Sequence, residues 1–175
     1  KPEAMDGIQG DIKTHKLDVR DGGQILTLAE EFTGRGIDVL IHNAGVYGKG
    51  MTHEDVMAIN AEAPFNVINA LLPAVLRGKM KKVVILTSQM GARNGGTTPS
   101  GLYGHSKCVL NDRFREIELT WRKSGITAIV FHPGWVRTDM GGRFAPLSVK
   151  NSVTGMRNVI KTLSPVDSGG FFTWK

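Results

Sequence analysis

The chain has 175 residues, 41% hydrophobic and 22% charged, which suffices for a packed domain and argues against disorder. No apolar run reaches the ~18 residues of a membrane span, and no signal peptide opens the sequence. The net charge of +6 is scattered along the chain, so a solvated surface is favoured over a nucleic-acid interface.

Residues 1–11 are polar and aperiodic. His15-Lys16-Leu17-Asp18-Val19 reads as a short strand ending in an acid. Apolar residues Ile25, Leu26, Leu28, Ala29 and Phe32 predict a helix over 21–35, stopped by Gly34 and Gly36. Residues 36–41 form a nearly all-apolar strand that runs into the tight turn His42-Asn43-Ala44-Gly45. Thr52, with an acid three residues on, starts a long helix to about Arg77. Residues 82–88 are a further buried strand ending in Thr87 and Ser88, followed by a Gly/Thr/Pro loop. The next helix covers 102–123, and Ser124-Gly125 stops it. Residues 126–131 form a strand before His132-Pro133-Gly134. An irregular Gly-rich segment spans 135–147, a helix 148–163 and a last short strand 170–174.

Strands alternating with helices imply an α/β fold of one domain, 1–175, with a doubly wound parallel sheet and helices on both faces. Right-handed crossovers put all strand C-termini on one edge, where open α/β sheets bind ligands. Asp18, Asn43, Ser88 and Pro133-Gly134 all fall at such ends.

Chemistry concentrates in Tyr103-Gly104-His105-Ser106-Lys107. Positions i and i+4 share a helix face, so the Lys107 ammonium is expected to lower the Tyr103 pKa from about 10. Such a tyrosine exchanges protons with a substrate oxygen. Taken alone, the spacing occurs often by chance and reads as a solvated lysine beside a half-buried tyrosine. Ser88, at a strand end near this helix, suits a group that holds a carbonyl or alcohol oxygen, or a simple turn cap. Pro64 lacks an N–H, so the Asn60 carbonyl loses its i+4 partner. The resulting kink either accepts a relay water leading to Lys107 or is a plain proline kink. The single Cys108 excludes an internal disulfide and fits a reducing cytoplasm. It is read as a packing residue. No metal is expected.

Taken together, Asp18, Asn43-Ala44-Gly45, Asn60, Ser88, the Tyr103/Lys107 pair and Pro133-Gly134-Trp135-Val136-Arg137-Thr138-Asp139-Met140 resemble the short-chain dehydrogenase/reductase family, in that family's order. Thr87 to Gly91 and the last segment are most similar to its C-factor/sniffer-like carbonyl reductase branch. The resemblance implies a Rossmann-like fold and an oxidoreductase that moves a hydride between NAD(P)H and a carbonyl or secondary alcohol. It also implies the roles. Tyr103 is the acid/base, Lys107 its tuner and a ligand of the nicotinamide ribose. Ser88 orients the substrate, and Asn60 holds the relay water. Asp18 and Val19 meet the adenine, and Asn43, Ala44 and Gly45 lie beneath the adenosine. Pro133, Gly134, Val136 and Thr138 hold the nicotinamide. Gln89, Trp135 and the loop 91–100 shape a pocket for an apolar or aromatic carbonyl compound.

Two features depart from the family. Its opening strand, T-G-x-x-x-G-x-G turn and helix are absent, a loss on the order of 30 residues, leaving the Rossmann-like sheet without its first β-α-β portion. Only 17 positions separate Asn43 from Asn60, fewer than the family leads one to expect. Both gaps adjoin the cofactor cleft. The expectation is a complete polypeptide whose cofactor loops order on binding; a shortened chain and an inactive natural fragment are the alternatives. Lys1, near the position of a 2′-phosphate, tilts the cofactor to NADP over NAD. The long helices 52–77 and 102–123 are expected to pair subunits into a homodimer or homotetramer. A non-catalytic binding or signalling protein on the same fold stands as the alternative function.

Overall fold

In the computed structural model, residues 10–93 and 101–175 are described. Four short apolar runs become strands: β1 (Val39–His42), β2 (Lys82–Leu86), β3 (Thr127–His132) and β4 (Phe171–Thr173). They lie side by side in chain order, and every pair is parallel. β2 is buried along its whole length, which is why its sequence is a continuous apolar run rather than an alternating one. All strand C-termini therefore share one edge. That edge carries Asn43, Ser88 and Pro133-Gly134, as expected.

Side chains cap the starts of three of the helices. α1 (Gly22–Glu30) is capped by Asp21, whose carboxylate accepts from the Gln24 N–H at 3.0 Å. α2 (His53–Met57) is capped by Thr52 Oγ1 on the Asp55 N–H at 3.1 Å. It passes through a π-helical turn, Ala58–Glu62, into α3 (Ala63–Arg77). The disturbance expected from Pro64 takes this form: the Ala63 N–H reaches back five residues to the Ala58 carbonyl. α4 covers Gly101–Lys123. α5 (Val149–Thr162) starts at Ser148, whose hydroxyl accepts from the Asn151 N–H at 3.1 Å.

The sheet is covered on both faces. On one, α3 and α4 bury Phe65, Ile68, Leu110, Phe114 and Trp121 against Val83, Ile85, Ala128 and Val130. On the other, α5 and the segment after it pack Met156, Val159, Ile160 and Leu163 on Val84, Leu86, Ile129 and Phe131. The buried Lys82 Nζ fastens α5 to β2 by donating to the carbonyls of Ile160 at 2.8 Å and Lys161 at 3.3 Å, where a helix C-terminus attracts a cation. The run His53–Arg77 is long and apolar enough to cross a bilayer. Its buried residues, Phe65, Ile68 and Val75 among them, instead face the sheet and α4.

The expected strand at 15–19 is not formed. Its apolar alternation is satisfied another way: Leu17 and Val19 pack onto α1 and α3 beside Ile25, Val67 and Leu71. Among the described residues β1 has a strand neighbour on one side only, and Ile41 there is 49% exposed. Lys1 and loop residues 94–100 lie outside the described residues.

Candidate active site

Ser88 follows β2 with extended backbone and caps a short turn, Gln89–Gly91, accepting from the Met90 N–H at 3.1 Å. The turn docks directly on α4. A Cβ at Gly91 would lie 2.5 Å from the Lys107 carbonyl carbon and 2.7 Å from the Cys108 nitrogen, so only glycine permits the approach. Asn111, one helical turn beyond Lys107, fixes both ends of the segment. Its Oδ1 accepts from Thr87 Oγ1 at 2.7 Å, and its Nδ2 donates to the Gly91 carbonyl at 3.1 Å. Ser88 is thereby held against the helix that carries Tyr103, close enough for its hydroxyl to act on the Tyr103 phenol.

Lys107 is buried, and its Nζ donates to the Leu86 carbonyl at 3.0 Å. Burial brings its pKa from 10.5 down to about 8. Tyr103 does not follow the sequence expectation. Its pKa is raised, chiefly by burial, with the Ser88 hydrogen bond pulling it down and the neighbouring Tyr47 pushing it up. The Lys107 ammonium lies 6.0 Å from the Tyr103 ring centroid and is engaged with Leu86, so desolvation of the phenol dominates.

Asn60, in the π turn, is fully buried and ties three segments together. Its Oδ1 accepts from the Val46 N–H at 2.9 Å. Its Nδ2 donates to the Val46 carbonyl at 2.8 Å and to Ser106 Oγ at 3.0 Å. Ser106 passes the link on by donating to the Tyr103 carbonyl at 2.8 Å. Gly45 lies between: a Cβ there would come 3.2 Å from Asn60 Oδ1 and 3.4 Å from Lys107 Nζ. The structure thus gathers Gly45, Asn60, Ser88, Tyr103 and Lys107 at one place.

The other sequence-chosen residues are distributed around this edge. Asn43 and Ala44 are exposed just past β1. Gly134 has a φ of +89°, and a Cβ there would strike Leu147 at 2.6 Å and the Trp174 indole at 2.7 Å. The Pro133 carbonyl accepts from Ser152 Oγ of α5 at 2.7 Å. Val136 bridges to Leu147, Thr138 Oγ1 accepts from the Gly141 N–H at 3.1 Å, and Trp135 Nε1 donates to the Gly141 carbonyl at 2.8 Å. Gln89 is exposed beside Ser88. Asp18 and Val19 are engaged elsewhere: Asp18 binds Arg20 at 2.8 Å, which also reaches Asp55 on α2, and that bond holds the Asp18 pKa near 2. Val19 packs in the α1–α3 cluster.

Sequence reading passed over Tyr47, whose ring centroid is 5.2 Å from that of Tyr103 and which is 55% exposed. It also passed over Ser106 and Asn111. Asn111 had a usable signal, being a polar residue on the apolar stripe of α4 at i+4 from Lys107.

A family model described as short chain dehydrogenase matches residues 3–146. C-signal of Myxococcus xanthus is 40% identical over 149 residues, covering 79% of this chain and 89% of its own. The solved NADPH-bound carbonyl reductase from chicken fatty liver is 30% identical with a TM-score of 0.79, over 90% of this chain and 73% of that one. The carbonyl reductase Sniffer of D. melanogaster is 26% identical with a TM-score of 0.80, over 91% and 74%.

Proposed function

We propose, from the premise that this chain belongs to the short-chain dehydrogenase family, that it reduces carbonyl compounds or oxidises the matching secondary alcohols with a nicotinamide cofactor. The observation that carries the reading is the placement of Ser88 at the Tyr103 phenol beside the buried Lys107 ammonium.

The residues present fit the nicotinamide half of the cofactor. Bare Gly45 leaves open the space that a Cβ would fill between Asn60 Oδ1 and Lys107 Nζ, and Lys107 has N–H groups beyond the one spent on Leu86. In this reading Lys107 and Tyr103 hold the ribose. Pro133, Gly134, Val136 and Thr138 border the nicotinamide, Asn43, Ala44 and Gly45 the adenosine, and Asp18 and Val19 the adenine. When bound, the cofactor supplies or takes up the hydride.

In the reducing direction Ser88 holds the substrate oxygen and Tyr103 donates its proton to it. The raised pKa of the phenol keeps it protonated at neutral pH, the form a donor needs. The Lys107 ammonium stabilises the phenolate left behind. Asn60 positions the Val46 segment and, through its main chain, holds the relay water. Gln89, Trp135 and the Tyr47 ring border the substrate, which favours an apolar or aromatic carbonyl compound.

NADP is preferred over NAD in this reading, supported by the NADPH-bound relative. The chain acts as one cytoplasmic domain, paired through helices 52–77 and 102–123 as a homodimer or homotetramer. A second reading, a binding or signalling protein on the same fold, is favoured by the printed name of the 40%-identical C-signal. Calorimetric titration of NADP⁺ and NAD⁺ separates them, followed by NADPH oxidation with aromatic aldehydes and ketones. Tighter NADP⁺ binding and turnover are expected; no binding of either dinucleotide moves the assignment to the second reading.

A further inference from the structure

His42, the last residue of β1, has no part in the proton transfer above. Its side chain is 6% exposed, and its Nε2 has no hydrogen-bond partner. Leaving a buried polar nitrogen unpaired costs on the order of 1–3 kcal/mol, so the ring calls for a partner. Strand alternation tells which way it points. Leu40 packs in the core beneath α3 and α4, and His42, two residues on, faces the same side.

That side holds Lys107. In the ladder His42 is opposite Ile85, and the next residue on β2, Leu86, gives the carbonyl that accepts from Lys107 Nζ at 3.0 Å. Three residues past His42 stands Gly45, whose Cβ position is 3.4 Å from the same Nζ. An ammonium has three donors and no acceptor. One donor goes to Leu86, and Asn60 Oδ1 already accepts from Val46. His42 Nε2 is an unpartnered acceptor close enough for the Lys107 charge to act on it. Its ring is bonded to its own backbone, which leaves Nε2 unused. Burial first, and the Lys107 charge second, push its pKa down to about 4, so the ring is neutral at working pH.

We propose that one buried water links His42 Nε2 to the Lys107 ammonium, accepting from the ammonium and donating to the ring nitrogen, and so holds the ammonium charged and aimed into the cleft between Gly45 and Tyr103. His42 is a positioning residue that acts through Lys107. The link stands on the orphaned, buried nitrogen and on its place on the same face of the sheet as Lys107; its consequence for turnover rests on the oxidoreductase reading. Tyr103 lies on the same helix as Lys107, with Tyr47 behind that ring, and His132 ends β3 with its Nδ1 likewise buried and unpartnered and its pKa lowered by burial. β2 gives Lys107 the Leu86 carbonyl, and the π turn places Asn60 Oδ1 across the Gly45 Cβ position from its Nζ.

Nitrogen NMR of the lysine ammonium and histidine ring nitrogens, on the protein alone, tests the contact. In the wild type the His42 Nε2 signal moves as Lys107 loses its proton near pH 8. In His42→Leu, Lys107 loses that proton about one pH unit lower, as expected for removing one hydrogen bond to a charged group. His42→Gln, which keeps an acceptor, titrates like the wild type. The alkaline limb of kcat/KM for NADPH-dependent reduction shifts with the same variants. A wild-type Nε2 signal that stays flat through the Lys107 titration overturns the proposal, and so does an unmoved Lys107 titration in a folded His42→Leu. The wild-type signal decides alone if that variant does not fold. Absent turnover in the wild type would overturn the oxidoreductase reading and leave the NMR result untouched.

Discussion

Lys107 holds its charge inside the protein with little to spare, since burial brings its pKa down to about 8. In the proposed mechanism reduction needs the ammonium, which is present below that pH and lost above it. We therefore expect kcat/KM to be level around neutrality and to fall about tenfold per pH unit on the alkaline side; a profile still level at pH 9.5 would contradict this. Asn60→Ala removes the partner of the Val46 N–H and carbonyl and of Ser106. It should lower stability by about 1–3 kcal/mol in urea unfolding. At this scale the sequence spoke clearly where the geometry is local: Tyr103 and Lys107 share a helix face because they are four apart. It misled on the direction of the Tyr103 pKa, because residue spacing carries no information about desolvation. The partners of Asn60 and the unpaired His42 nitrogen were illegible for a similar reason, since both depend on which segments meet in space.

Gly91 decides how two elements meet. Gly91→Ala would put a methyl group 2.5 Å from the Lys107 main chain and force the Ser88 turn away from α4. The expected loss is about 1–3 kcal/mol of stability, accompanied by a larger fall in kcat than in cofactor affinity. A Gly91→Ala protein with wild-type kcat would show that the turn does not position Ser88. Helix starts at Thr52 and Ser148 were readable because capping is local. The disturbance at Pro64 was readable too, but its form, a π turn, was not. The strand expected at 15–19 failed because alternating apolar residues can dock on helices as well as lie in a ladder. Leu17 and Val19 do the former.

Across the whole molecule, the alternation of apolar runs with helical periods sufficed for a parallel sheet covered on both faces. The consecutive strand order did not follow from it, because neighbour choice depends on long-range pairing. The proposed pairing of helices 52–77 and 102–123 predicts a dimer or tetramer by light scattering at tens of micromolar, with Leu76 and Leu119 as exposed apolar residues on those helices; a monomer would contradict it. The central claim is that Tyr103 delivers the proton. The measurement that tests it most directly compares NADPH oxidation with an aromatic aldehyde by the wild type and by Tyr103→Phe, alongside dinucleotide affinity. The account predicts a loss of about 10²-fold or more in kcat, the scale of acid/base catalysis, with affinity nearly unchanged. Wild-type turnover by Tyr103→Phe would contradict it.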